Sequence, residues 1–554
     1  IARQTKDYTR PADCEALYNL GLILKNEGRI EAALDTLYRA VWDYNYNSPA
    51  NFQLAQIYNS MGDTAMAMDR IDEAIAYNNR NLNARCLRTS LLRDAGRLDE
   101  STDEARRILE FDPLNIYAAH ELDLMGQRGE SRALMRDDSQ NYLELAISYL
   151  HNGYRDIARG ILSRADSLCT SPVIKMWLAY MAHCDGDATG AATLYADALA
   201  QPVDYVNPSR LESVPAIETA MIYAPDSYKP HYYLGNLWYD KDQAKGIAHW
   251  RRVTEMEPGM AMAWRNLGWA CWVGRNPDLD KAATYYLRAV NLAPDQALFL
   301  EELDQVYEAK GEDVRVRHAL LKSRHDIAVK RYYPLAAEVI TSVFTGDYDY
   351  ALRLLRECYF PTREGVANFH DVYVDALLTA GHDRVSRGDA EGALDLYRQA
   401  FEYPENHQVF LVDTRTPRDA QIYCFMARAY EAKGDTRRAR DMYRKAADVN
   451  TKSTDYRYWK GLALKQLGRA DEARELFTSL RDQGRDGIVT DYVSFYGAEG
   501  TTGNTVAGIN TRAYYTRALG ELGLGNIDSA RDCLLRSVEL KPDNLWAVRM
   551  LATL

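Results

Sequence analysis

Apolar residues along the first hundred positions fall into a repeating two-helix pattern. Leu17, Leu20, Gly21 and Leu24 lie on one side of a helix, and Ala33, Leu37 and Ala40 on one side of the next. These are the i, i+3, i+4, i+7 spacings of an amphipathic helix. Leu54, Ala55, Tyr58, Ala67, Ile71 and Ala74 repeat the arrangement one unit later. Gly28, Gly62 and Gly96 punctuate the turns at intervals of 34 residues, and Asn45, Asn79 and Pro113 close the units at the same interval. Small residues at Gly21/Ala55 and Ala33/Ala67 allow close approach of helices, and the large residues fill the gaps between neighbours.

A period of ~34 residues with two antiparallel helices per unit resembles the tetratricopeptide repeat. The expected fold is therefore all-α, a right-handed superhelix (α-solenoid) of about a dozen helix-turn-helix repeats with a few irregular insertions. Further turn glycines are expected at Gly153, Gly186, Gly311, Gly346, Gly388, Gly434, Gly468 and Gly525, and unit ends at Pro258 and Pro294. The pattern divides the chain into three regular units over 1–113, degenerate helices plus two units over 114–202, and an insertion at 203–229. Units with an aromatic-rich groove follow over 230–402, then an insertion at 403–420 and units over 421–482. An irregular Gly/Thr-rich insertion is expected at 483–512, ahead of a C-terminal unit and end helix at 513–554.

Residues ~228–554 resemble something narrower. YYLGNLWYDK (232–241), WRNLGWACW (264–272), EELDQVYEAKG (301–311), REG (363–365) and FEYPENH (401–407) are similar, in kind and order, to the C-terminal repeat region of a family of long bacterial proteins. In that family an uncharacterised, mutarotase-like β-rich domain precedes the repeats. The resemblance implies that this chain is the repeat half of a larger protein with a link to carbohydrate chemistry. TREGVAN (362–368) keeps Glu364 and Gly365 of the family's acidic Trp-Glu-Gly-Gly-Glu-like segment but lacks its tryptophan and second acid.

With 47% hydrophobic residues over 554 positions the chain can bury a large core. A net charge of −12 argues against a nucleic-acid or anionic-membrane surface. No apolar run is long enough to span a bilayer. The eight cysteines are far apart and contain no CxxC pair, which disfavours a metal site and points to a reducing, cytoplasmic compartment. The chain begins at Ile1, so no targeting region is visible.

The stretch Trp264–Trp272 holds three of the nine tryptophans. Trp264 takes the position of Leu17 and is expected in the core. Trp269 and Trp272, one turn apart, face the groove. Tyr232, Asn236 and Tyr239 of the preceding unit and Glu301, Gln305 and Glu308 of the following one share that face, and Arg265 is placed to pair with Glu301. Such an aromatic band edged with acids and amides suits a protein partner, including the β-rich domain of the parent chain, or an oligosaccharide. The carboxylate-binding clamp of tetratricopeptide co-chaperones is not reproduced, because Tyr232, Leu298 and Glu302 stand at its cationic places.

Chemistry is sparse. Glu364, His370 and Asp371 are the only candidates for acid–base work, and no metal spacing or cofactor motif occurs. GELGLGN (520–526) is a repeat turn, and GNTVAGIN (503–510) lacks the lysine of a phosphate loop. The sequence thus points to a non-enzymatic protein–protein interaction scaffold, open to self-association. The alternative is the accessory half of a carbohydrate-active enzyme whose pocket the repeats complete.

Overall fold

The computed structural model describes residues 13–274, 276–361, 369–408, 416–452, 454–491, 505–542 and 544–554. Among these the regular structure is entirely helical. The chain forms two compact units, residues 1–263 and 264–554.

In the first unit the pairs Glu15–Asn26/Ile30–Ala40, Tyr44–Ser60/Thr64–Tyr77 and Leu82–Asp94/Leu98–Phe111 realise the three regular repeats. Each turn glycine lies in the left-handed region, with φ of 73°, 82° and 72° at Gly28, Gly62 and Gly96. A side chain there would be strained, and the glycine allows the next amide to reach back to the helix end. Arg29, Asp63 and Arg97 donate to the carbonyls of Leu24, Tyr58 and Leu92 at 2.9 Å. Asn81 and Asn115 each cap a following helix, accepting from the amides of Ala84 and Ala118.

Residues 114–140 hold a degenerate pair, Ile116–Leu124 and the five-residue Ser131–Met135, with a left-handed turn at Gly126. Pairs Ser139–His151/Arg155–Leu168 and Pro172–Cys184/Ala188–Ala200 follow. The stretch 203–229, expected as an irregular insertion, contains the helix Val214–Tyr223, and Lys229–Tyr239/Gln243–Met256 completes the unit's series.

The second unit continues with Ala261–Trp272/Leu279–Leu292, Ala297–Lys310/Val314–Ser323, Tyr332–Thr345/Tyr348–Glu357, Phe369–Ser386/Ala390–Gln399, Asp419–Ala432/Thr436–Asp448, Arg457–Gln466/Ala470–Asp486 and Val506–Leu524/Ile527–Leu540. A final helix, Leu545–Leu551, follows. Residues 483–486 and 506–512, placed in the irregular insertion by the sequence, are helical. Their helices touch backbone to backbone: a Cβ on Gly484 would lie 2.6 Å from the Ala513 carbonyl oxygen, and one on Gly520 2.6 Å from that of Phe477.

Small residues set the closeness within pairs. A Cβ on Gly21 would meet Leu37 at 2.6 Å, one on Gly235 the Trp250 Nε1 at 2.5 Å, and one on Gly268 the Tyr286 ring at 2.8 Å. Gly381 and Gly461 make the same notch for Tyr397 and Phe477, at 2.7 Å and 2.5 Å. The missing side chain on the first helix is thus filled by a large one from the second. Burial of each such ring or Leu is worth roughly 1.5–3 kcal/mol.

Candidate functional site

The nine residues expected to line a groove fall in both units and are described for each. In the first, Tyr232 is buried. The carboxamide of Asn236 accepts the Trp250 indole N–H at 3.0 Å and donates to Asn207 Oδ1 at 3.3 Å. Tyr239 lies 4.7 Å from the Trp250 ring. Two of the three thus brace Trp250, the ring that fills the Gly235 notch.

In the second unit Arg265 forms a bidentate pair with Glu302, with its Nε 2.8 Å from Oε2 and its Nη2 on Oε1. The pairing with Glu301 expected from sequence does not form, because Glu301 accepts Arg331 Nε at 2.6 Å. Adjacent positions on a helix point about 100° apart, so the two acids meet different neighbours. The Arg265 guanidinium also stands over Trp269, 5.2 Å from the ring centre. Trp269 and Trp272 meet edge to face at 5.9 Å, and Trp272 rests edge-on against the buried Tyr286 at 6.3 Å. Both tryptophans keep part of their surface exposed. Trp264, expected in the core, is likewise only partly buried and tilts onto Tyr285 at 5.8 Å. Glu308 accepts Arg317 at 3.0 Å, and the same arginine pairs bidentately with Asp304 at 2.8 and 2.9 Å. Gln305 is half-buried beside them. The acidic edge is therefore already paired with the unit's own arginines, and the accessible part is the tryptophan pair.

Of the three acid–base candidates, His370 and Asp371 fall within the described residues and meet different neighbours. Glu364 lies outside the described residues. His370 stacks on Tyr403 at 4.0 Å, and burial lowers its pKa to about 4, leaving a neutral imidazole at physiological pH. Asp371 instead accepts Arg418 Nη1 at 2.8 Å. Consecutive residues on one helix diverge, which sends the imidazole inward and the carboxylate to the arginine. No group of three or more His, Cys, Asp or Glu side chains able to hold a metal occurs among the described residues.

Two features escaped sequence reasoning. The first is an exposed apolar edge in the first unit: Trp42 and Tyr44, then Tyr77, then Phe111 and Leu114, with Tyr44 at 74% exposure and Phe111 at 59%. Tyr44 and Tyr77 touch at 5.8 Å. Applying the 34-residue step to apolar residues outside the core positions would have found it, since Tyr77 and Phe111 are one period apart. The second is the final helix. Trp546 and Arg549 reach Asp375 and Asp383, more than 160 residues earlier, and no local pattern signals that.

Helical pairs of this spacing have the form of tetratricopeptide repeats, and family comparison recognises such repeats in the chain. Residues 236–297 and 426–488 match one tetratricopeptide-repeat model, and residues 15–41, 48–81 and 511–544 match a second. The chain carries tetratricopeptide repeats. Among solved structures it is similar to "Structure of Naa15/Naa10 bound to HypK-THB", at 14% identity over 98% of this chain and 96% of that one, with a TM-score of 0.25. It is also similar to the P58(IPK) TPR domain, at 16% identity over 83% and 99%, with a TM-score of 0.20. At these scores neither likeness carries an argument about activity.

Proposed function

We propose that this chain is a scaffold for protein–protein interaction, the repeat half of a larger protein that docks a protein partner or a β-rich domain of its own parent chain. One observation supports it above others: large apolar side chains stay accessible near the ends of successive pairs, at Trp42 and Tyr44, at Tyr77, and at Phe111 and Leu114, with Tyr77 and Phe111 one 34-residue period apart. Single exposed hydrophobics are ordinary on a folded surface, whereas a series along one edge marks a docking surface. Stacked pairs present such an edge with little ordering cost on binding.

The test is photo-cross-linking in cells of origin, with a benzophenone side chain at Tyr44 or Trp269. A stoichiometric protein adduct at either position, weakened by Tyr77→Ser or Trp272→Ala respectively, supports the scaffold. Full-length chain that forms no adduct at either position sinks it. A second reading, the accessory half of a carbohydrate-active enzyme, draws on the partly exposed Trp269–Trp272 pair, since sugar rings stack on such faces. Hydrogen-exchange protection of residues 264–272 by oligosaccharides, without any protein partner, would favour it.

A further inference from the structure

The final helix, Leu545–Leu551, lies against the first helices of three earlier pairs of the second unit. The Trp546 indole N–H donates to Asp375 Oδ1 at 2.7 Å. Its ring meets Phe425 at 5.7 Å and Trp459 at 6.2 Å, both at steep angles. One turn on, Arg549 donates to Asp383 Oδ1 at 2.9 Å and to the Tyr348 hydroxyl at 2.8 Å. Leu545 and Ala547 are buried, whereas Trp546, Arg549 and Met550 are half-buried.

Three properties of this contact are those of a ligand in a groove. Its anchors are a tryptophan and an arginine, the side chains that dominate protein interfaces. Its receiving face carries three carboxylates, Asp371, Asp375 and Asp383: Arg418 bridges the first two, Arg428 stands over the Phe425 and Trp459 rings, and Asp383 takes its arginine from the final helix. Burial pushes the Asp375 carboxyl above its ordinary range against the pull of Arg418, and the Trp546 indole N–H pulls the same way as Arg418, while Arg549 serves the separate Asp383 carboxylate. Finally, the helix has seven residues, too few to persist without the surface it lies on.

Deepening the scaffold reading and resting on it, we propose that the face formed by Phe369–Ser386, Asp419–Ala432 and Arg457–Gln466 is a binding site for a partner's amphipathic helix bearing a tryptophan and an arginine one turn apart. The chain's own Leu545–Leu551 holds that place in cis. A partner helix of the same chemistry enters by displacing it, against the high effective concentration of a tethered competitor.

The probe is a fluorescein-labelled peptide of residues 541–554, titrated by anisotropy against the full chain and its Trp546→Ala/Arg549→Ala variant. The variant should bind the peptide at least about ten-fold more tightly than wild type, because its own helix no longer competes. Adding Asp375→Asn and Asp383→Asn to the variant should weaken binding about ten-fold again. A variant with unchanged helical circular dichroism that binds no better than wild type overturns the proposal. Hydrogen exchange on wild type decides independently of how the variant folds. Amides of 545–551 exchanging at least about a hundred-fold faster than those of 419–432 support a displaceable helix. Equal rates mean a permanent cap and overturn it. Peptide failure with cross-linked partners at Tyr44 or Trp269 removes this inference alone, whereas failure of both removes the scaffold reading.

Discussion

Replacing glycine by alanine inside a helix should have opposite effects at two positions of this chain. Gly381 sits in Phe369–Ser386, and a Cβ there would fall 2.7 Å from Tyr397 Cζ and 3.0 Å from Cδ1, overlapping Cε1. Carbon atoms rest about 3.5–4 Å apart, so ring and helix must separate by roughly 1 Å. Tyr397 is 1% exposed and has no room to swing. Overpacking of this kind costs about 1–3 kcal/mol, from which the better helix propensity of alanine removes about 0.5–1. With the Tyr397 ring locked the overpacking cost lies in the upper part of its range, about 2–3 kcal/mol, and Gly381→Ala should destabilise the second unit by about 1–2.5 kcal/mol. Gly160, on the open side of Arg155–Leu168, has nothing within 4 Å of the same hypothetical atom. There only propensity acts, and Gly160→Ala should stabilise the first unit by about 0.5–1 kcal/mol. Urea titrations followed at 222 nm read both, with the slope checked for constancy so that a midpoint shift means stability. A neutral or stabilising Gly381→Ala would refute the notch as a packing device, and a destabilising Gly160→Ala would refute the propensity argument.

Other perturbations follow from the same geometry. Arg265→Ala strands the buried Glu302 carboxylate and should cost about 2–4 kcal/mol in the unfolding of the second unit, with much of it regained in Arg265→Ala/Glu302→Leu. His370 has a folded-state pKa of about 4 against an ordinary 6.5, so the unfolded chain takes up the proton first as acid is added. Stability should fall by up to ~3 kcal/mol between pH 6.5 and pH 4, and His370→Gln should flatten that dependence in thermal melts at each pH. Tyr44→Ser and Tyr77→Ser should change stability by less than about 1 kcal/mol yet reduce adduct yield at neighbouring cross-linkers, because these rings are largely exposed. Equal losses of stability and yield would mean that the edge serves folding.

The fold was legible because its signals are local. All eleven turn glycines expected from the spacing adopt positive φ. Gly126 was missed because it follows Gly96 by 30 residues and its second helix shrinks to Ser131–Met135. The helical ends of 483–512 were hidden by glycines at 484 and 508 that weaken the helical pattern; Gly484 instead permits backbone contact with the neighbouring helix. The site was less legible, and the reason is rotation. Sequence spacing places Arg265, Glu301 and Glu302 on neighbouring helices but does not fix which acid turns toward the arginine. The choice rests on Arg331, 30 residues further on, which claims Glu301. The Trp546–Asp375 bond depends on how several successive pairs stack, a sum of small angles that no short window contains.

The glycine notches also bear on how the chain sorts its own parts. A protein made of many similar hairpins risks joining the first helix of one with the second helix of another as they emerge during synthesis. Here the notches take three shapes of occupant: Leu37 at Gly21, the Trp250 indole at Gly235, and a six-membered ring at Gly268, Gly381 and Gly461. An indole does not fit a socket shaped for leucine, and a leucine leaves an indole-shaped socket hollow. The pairs therefore work as keys of a few cuts, and transplanting a second helix between repeats of different cut should misfit even where the 34-residue register is preserved.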